Sequence, residues 1–174
     1  MKSLEEYVRN INDFPKKGII YRDVTTVLSD ADGLKLAIES MQKLLENTEF
    51  DVIVAPESRG FIFGMPLAYN MNKAFVPVRK KGKLPAETIS EDYDLEYGSA
   101  TLEIHKDAIK QGQKVVIVDD LVATGGTLQA IIRLVERLGG QVVKICLLIL
   151  LVDLNERELL KDYEIESCIK FEGE

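Results

Sequence analysis

Between residues 33 and 48 the apolar positions Leu34, Ala37, Ile38, Met41, Leu44 and Leu45 recur three and four apart, the spacing of a helix buried along one face. Residues 51–55 follow a different rule. Val52, Ile53, Val54 and Ala55 run on without alternation, which predicts a strand covered on both sides. Residues 60–71 read as the next helix, with Pro66 tolerable only near its first turn, where a missing N–H has no partner to lose. Further strands are predicted over 74–78 and 115–118. Between them 84–98 is polar, acidic and aperiodic, a long loop or hairpin of the kind that is usually functional in a compact domain. Helical spacing returns over 127–138 through Leu128, Ile131, Ile132, Val135 and Leu138, and Gly139 closes it. Strands at 141–151 and 163–171 complete the set. Strands separated by helices of this length pair in parallel only through crossovers. The predicted fold class is therefore α/β, a mostly parallel central sheet flanked by helices, with ligands at the carboxyl ends of its strands.

Composition narrows the class. The 174 residues are 46% hydrophobic and 29% charged, and no linker, repeat or low-complexity segment divides them, so 1–174 is expected to form a single domain. The longest apolar run, from Ile145 to Val152, is eight residues, far short of the roughly 20 that span a bilayer. The start, Met1-Lys2-Ser3-Leu4-Glu5-Glu6, lacks the apolar stretch of a secretory leader. Cys146 and Cys168 are too few and scattered for a disulfide scaffold, which makes a reducing cytoplasm the expected setting, with no membrane partner. Lys and Arg total 22 against 29 Asp and Glu, a net charge of −7 that argues against a nucleic-acid partner. His105 is the one histidine, so a multi-histidine metal site is excluded; it falls at an element boundary and is given no catalytic role.

The charge is nevertheless segregated. From Arg59 to Lys83 there are six basic residues and no acid, and from Leu84 to Glu103 six acids and no base. A local positive field can therefore meet a polyphosphate on an acidic protein.

Chemistry concentrates in 115–127, Val-Val-Ile-Val-Asp-Asp-Leu-Val-Ala-Thr-Gly-Gly-Thr, where a buried strand delivers two adjacent acids to a turn of small residues and a helix. Gly125 and Gly126 permit positive φ and close approach, so that successive N–H groups can surround a phosphate at the helix start. Thr124 and Thr127 add hydroxyl donors. Asp119 and Asp120 can accept hydrogen bonds from sugar hydroxyls or hold a magnesium ion through water. The string lacks the Gly-Lys-Ser/Thr of a nucleotide P-loop and the Gly-x-Gly-x-x-Gly of a dinucleotide site.

This segment resembles the phosphoribosyl pyrophosphate signature of type I phosphoribosyltransferases. The resemblance implies that Asp119 and Asp120 contact the ribose 2- and 3-hydroxyls, and that Ala123, Thr124, Gly125, Gly126 and Thr127 cradle the 5-phosphate. Three more segments resemble the adenine phosphoribosyltransferases, and the likeness covers nearly all of residues 4–151. Residues 13–25, Asp-Phe-Pro-Lys-Lys-Gly-Ile-Ile-Tyr-Arg-Asp-Val-Thr, are similar to the hood of that family. Taken alone they read as an irregular surface stretch, since Pro15 and Gly18 break regular structure. The likeness implies that the Ile20 backbone reads the edge of adenine with Arg22 nearby, while Tyr21 stacks on one face of the base and Leu121 packs on the other. Lys17 stands where the family often has proline. Ala123 stands where 6-oxopurine enzymes carry an aspartate, which leans the substrate toward adenine.

Residues 56–61, Pro-Glu-Ser-Arg-Gly-Phe, read alone as a helix entry capped by Ser58. They resemble the family's pyrophosphate loop. That likeness implies backbone amides around Glu57 and Ser58 gripping pyrophosphate, Arg59 adding charge-assisted hydrogen bonds, and a cis peptide at Glu57-Ser58. In 78–85 four positive charges fall within five residues, by themselves an ordinary solvated face; the resemblance places Arg79 and Lys83 around pyrophosphate. Leu95-Glu96-Tyr97-Gly98 ends the long segment and also matches.

The implied reaction is phosphoribosyl transfer from phosphoribosyl pyrophosphate to N9 of adenine, giving AMP and pyrophosphate, with Mg2+ carried by the donor and no direct protein ligand. Arg59 would help neutralise the departing pyrophosphate, Glu96 would handle the purine proton and Tyr97 would help a lid close. A homodimer is expected from the family. Competing readings are a 6-oxopurine or xanthine transferase, and a non-catalytic sensor of the donor. The sensor is disfavoured, since no room remains for a DNA-binding module and the net charge opposes a broad RNA-binding face.

Overall fold

The computed structural model describes residues 2–94, 98–151 and 160–171. A 3-10 turn at Glu5–Tyr7 leads into an antiparallel hairpin of β1 (Arg9–Asn12) and β2 (Ile20–Asp23), then a single helical turn, α1 (Thr25–Leu28). There follow α2 (Ala31–Leu45), β3 (Val52–Pro56), α3 (Arg59–Asn70), β4 (Ala74–Lys80), β5 (Thr88–Asp94), β6 (Ser99–His105), β7 (Lys114–Val122), α4 (Gly126–Arg137), β8 (Gln141–Leu151) and β9 (Ile165–Phe171). A seven-stranded sheet takes the order β5-β6-β4-β3-β7-β8-β9. From β4 to β9 its strands are parallel, and β6 and β5 form an antiparallel edge.

Side-chain alternation explains the layers. Val52, Val54, Val115 and Ile117 project into one core with Leu128, Ile131 and Leu134 of α4. Ile53, Ala55, Val116 and Val118 project into the other with Met41 of α2 and Phe63 and Leu67 of α3. β3 is buried over its whole length, as its unbroken apolar run predicts. The start of α2 is set by Asp30, whose Oδ1 accepts from the Asp32 and Gly33 amides at 2.9 and 3.0 Å. Because α3 returns the chain to β4 on one side of β3, and α4 returns it to β8 on the other side of β7, the crossovers part between β3 and β7. That divergence is where open α/β sheets bind ligands.

Three expectations are corrected. Residues 13–25 are not irregular throughout: Pro15 and Gly18 lie in the turn of the β1–β2 hairpin, with Gly18 at φ +88°, and Ile20–Asp23 is a strand. An ion pair between Arg9 and buried Asp23, with Nε to Oδ2 at 3.0 Å, ties the open end of that hairpin. Pro66 lies well inside α3 rather than in its first turn; the carbonyl it leaves unbonded belongs to exposed Ile62, where water can serve it. Residues 99–105, for which no strand was expected, form β6. Its buried acid, Glu103, escaped an apolar-pattern reading because its carboxylate is satisfied by the Gly82 amide at 3.0 Å. Among the described residues no helix is long and apolar enough to cross a membrane.

Candidate active site

The β3–β7 ladder runs from Val52↔Val115 to Val54↔Ile117 and stops. Above it the turns leaving the two strands enclose a cleft of about 260 Å³, lined by Pro56, Glu57, Ser58 and Arg59 from one and by residues from Asp119 to Leu128 from the other.

In the first turn the Glu57-Ser58 peptide is cis, as the family likeness implies. Ser58 is the N-cap residue of α3 but makes no side-chain cap, because its φ and ψ of −109° and −32° are helical rather than extended; the expected cap is absent. Gly60 lets the helix begin against the acids. A Cβ there would lie 2.8 Å from Pro56 Cδ and 3.1 Å from Asp119 Oδ1. In the second turn Gly125 stands at φ +87°, a left-handed conformation that favours glycine and opens α4. Gly126 is helical, so only one of the two glycines uses positive φ. The want of a side chain at Gly126 serves another end: a Cβ would sit 3.3 Å from the Asp94 carbonyl oxygen.

Asp119 and Asp120 are buried side by side at the end of β7, and Asp119 Oδ1 accepts from the Asp120 amide at 2.8 Å. Burial, and then the neighbouring Asp120 charge, push the Asp119 carboxyl well above the usual carboxylate range. Arg59 Nε lies 2.8 Å from Asp120 Oδ2, close enough for an ion pair, yet its N–H does not aim at that oxygen, which is buried without a hydrogen-bond donor. Two carboxylates at the cleft with hydrogen-bonding capacity left over suit incoming hydroxyls. Among the described residues no group of three His, Cys, Asp or Glu forms a metal cage. Two adjacent carboxylates fit Mg2+ held through water, since this ion keeps much of its hydration and takes phosphate oxygens from a substrate.

The other expected residues divide. Thr124 and Ala123 are exposed at the rim, whereas Leu121 and Thr127 line the cleft half-buried. Tyr21 is brought in from β2: its hydroxyl accepts from Arg59 Nη1 at 2.8 Å and its ring meets Phe14 edge-on at 5.3 Å. Ile20 precedes it in the same strand. Arg22 is held elsewhere, donating to Asn10 Oδ1 at 2.7 Å and lying 4.0 Å over the Phe171 ring. The Glu57 carboxylate accepts from Arg79 Nε at 3.2 Å and from the Lys80 amide at 2.7 Å, so Arg79 and Glu57 already compensate each other. Lys83 is exposed on the turn after β4. Lys80 and Tyr93 also line the cleft, and no motif marks either of them. Lys80 was legible only as one of a basic run, and Tyr93 only once β5 is known to turn alternate residues inward. Glu96 and Tyr97 lie outside the described residues.

Comparison with known proteins agrees with this geometry. The phosphoribosyl transferase domain family matches residues 23–174. An adenine phosphoribosyltransferase of Lachnoclostridium phytofermentans is 65% identical over 173 residues, covering 99% of each chain. The crystal structure of adenine phosphoribosyltransferase from Thermoanaerobacter pseudethanolicus superposes with a TM-score of 0.92 at 57% identity, over 97% of this chain and 100% of that one. The Saccharomyces cerevisiae enzyme, solved in complex with an imino-altritol bisphosphate and adenine, gives 0.88 at 35% identity over 95% and 96%. Likeness of this extent leaves one assignment: the chain belongs to the phosphoribosyltransferase family, within its adenine phosphoribosyltransferase branch.

Proposed function

We propose that the protein transfers the 5-phosphoribosyl group of phosphoribosyl pyrophosphate to N9 of adenine, releasing pyrophosphate and forming AMP. The observation that carries this reading is the pair of buried carboxylates, Asp119 and Asp120, lining the same cleft as the Gly125–α4 turn. Asp119 and Asp120 accept hydrogen bonds from the ribose hydroxyls, and the amides and hydroxyls of Thr124 through Thr127 hold the 5-phosphate at the start of α4. Pyrophosphate lies along the Glu57-Ser58 turn, with Arg59, Arg79, Lys80 and Lys83 supplying positive charge as the anomeric bond breaks. Adenine enters between Tyr21 and Leu121, read by the Ile20 backbone, and attacks from the face opposite the leaving group; Arg22, bonded to Asn10, stands beside that strand rather than on the base. The neutral side chain of Ala123 at the rim favours adenine over a 6-oxopurine. Asp119 and Asp120 would hold magnesium through water, and the ion, when bound with the donor, would supply positive charge toward the pyrophosphate.

Glu96 takes the proton that N9 gives up, and Tyr97 assists closure; this part rests on the likeness of Leu95-Glu96-Tyr97-Gly98 to the family. Such proton transfer is worth about 10²- to 10⁴-fold, so Glu96→Gln with unchanged turnover removes the assignment. The reading also includes a homodimer. It is supported by α3, where Ile62, Met65 and Tyr69 form an exposed apolar stripe at helical spacing and Tyr69 is 85% exposed. A cytoplasmic setting is supported by the free thiols of Cys146 and Cys168.

The test is to supply the donor, magnesium and adenine, hypoxanthine, guanine or xanthine in turn, and to measure nucleotide. AMP from adenine, with the other bases idle, is the expected result; preference for a 6-oxopurine or no nucleotide from any base overturns the proposal.

A further inference from the structure

The edge strand β5 pairs with β6 on one side and lies along α4. Ile89, Glu91 and Tyr93 alternate with exposed Ser90, Asp92 and Asp94, so they share the inward face, and Ile89 and Tyr93 pack on the core that α4 covers. Glu91 is the charged member of that inward row, its side chain only 19% exposed. Its two oxygens are divided between arginines one helical turn apart on α4: Oε1 lies 3.2 Å from Arg133 Nη1 and Oε2 3.0 Å from Arg137 Nη1. Arg137 Nη1 also donates to the Ser90 carbonyl at 2.6 Å. Farther along β5 the contact is with the other end of the helix. Tyr93 lines the cleft beside Thr127, and a Cβ on Gly126 would lie 3.8 Å from its ring and 3.3 Å from the Asp94 carbonyl oxygen.

The strand is thus fastened to the helix twice, by charge near the helix C-terminus and by close approach at the phosphate-binding end. Exposed ion pairs contribute little singly. This one differs in that a mostly covered carboxylate is shared by two arginines, one of which also holds the strand backbone. Arg133 and Arg137 do not line the cleft, so neither touches a substrate there.

We infer that Glu91, gripped by Arg133 and Arg137, is a positioning residue for phosphoribosyl transfer: by fixing β5 along α4 it sets the Tyr93 ring as a wall of the cleft that receives the donor. The inference rests on the proposed function. Releasing the grip lets the edge strand sample other positions on α4, and the cost falls on donor binding.

The experiment measures KM for phosphoribosyl pyrophosphate, KM for adenine, kcat and Tm in the wild type, Glu91→Gln, Arg133→Gln/Arg137→Gln and the triple variant. Glu39→Gln, which breaks the exposed Lys35–Glu39 pair on α2, serves as the control. Glu91→Gln is expected to raise the donor KM roughly three- to tenfold while the adenine KM and Tm stay near the wild type. The double arginine variant is expected to match it, and the triple variant to add nothing further, the signature of one coupled unit. Wild-type donor KM in Glu91→Gln overturns the inference while leaving the proposed reaction standing. So does a loss of Tm without a change in donor KM, or additive effects of strand and helix variants. Failure of the wild type to form nucleotide overturns the proposed reaction and the inference with it.

Discussion

Gly60→Ala places one methyl group where the first turn of α3, the end of β3 and Asp119 meet. The new Cβ would lie 2.8 Å from Pro56 Cδ, 3.2 Å from Pro56 Cγ and 3.1 Å from Asp119 Oδ1. Ordinary carbon contacts fall at about 3.5–4.0 Å, so something must move by about 0.7 Å. Neither neighbour is the tip of a flexible chain: Pro56 is a buried strand residue and Asp119 is held by the Asp120 amide. Overpacking of this kind costs about 1–3 kcal/mol, and the better helix propensity of alanine returns up to about 1 kcal/mol. The net loss of up to about 3 kcal/mol lowers Tm by up to about 10 °C in a chain of this size. Activity suffers far more. If α3 shifts, it carries Arg59 off Asp120 and Tyr21, each now 2.8 Å away; if Asp119 turns instead, its proposed contact with the ribose goes. A displacement approaching 1 Å at reacting groups costs about 100-fold, so kcat/KM for the donor should fall by about two orders of magnitude. Gly64→Ala is the matched comparison, since its Cβ would meet Phe75 Cε2 at 2.8 Å and Ala55 Cβ at 3.1 Å on the same helix away from the cleft. It should lower Tm with little change in the donor constants. A Gly60→Ala enzyme with wild-type donor kinetics, or a Gly64→Ala enzyme equally impaired toward the donor, refutes the reasoning.

Two further outcomes follow from ionisation. The Thr25 hydroxyl and then the Arg9 guanidinium hold the Asp23 carboxyl at about 2, below its ordinary 3.8, so its contribution is full above pH 4 and lost as pH falls through 2. Urea titration should find the wild type more stable than Asp23→Asn by up to about 2 kcal/mol at pH 5, with the gap closing by pH 2; a constant gap contradicts the assignment. Burial pushes the Cys168 thiol up to about 12 and raises Cys146 further, so a maleimide should label neither in the native protein at pH 8 and both in urea. Rapid native labelling of either cysteine argues against the packing of β8 and β9.

Much of this could be seen in the residues alone, for reasons that differ by element. β3 and β8 announce themselves because burial on both faces leaves unbroken apolar runs, and α2 and α4 because one buried face imposes its period. The acidic pair and its loop were legible because the chemistry lies in one contiguous stretch from Asp119 to Thr127. β6 was not legible, since its buried Glu103 is made tolerable by the amide of Gly82, far off in sequence. The same holds for the Glu57–Arg79 pair and the grip of Arg133 and Arg137 on Glu91, which join residues on separate elements. Hood residues 13–25 could be matched by likeness, but their local pattern conceals the strand within them, which forms only by pairing with Arg9–Asn12.

The most direct test of the account is AMP formation by Asp119→Asn/Asp120→Asn beside the wild type, with circular dichroism recorded on both. Removing both carboxylates takes away the groups proposed to hold the ribose while relieving the burial of two adjacent acids, so the fold should persist. Turnover from phosphoribosyl pyrophosphate and adenine should fall by about 10³-fold or more. A folded double variant that still makes AMP at a rate near the wild type contradicts the placement of the donor between the ends of β3 and β7.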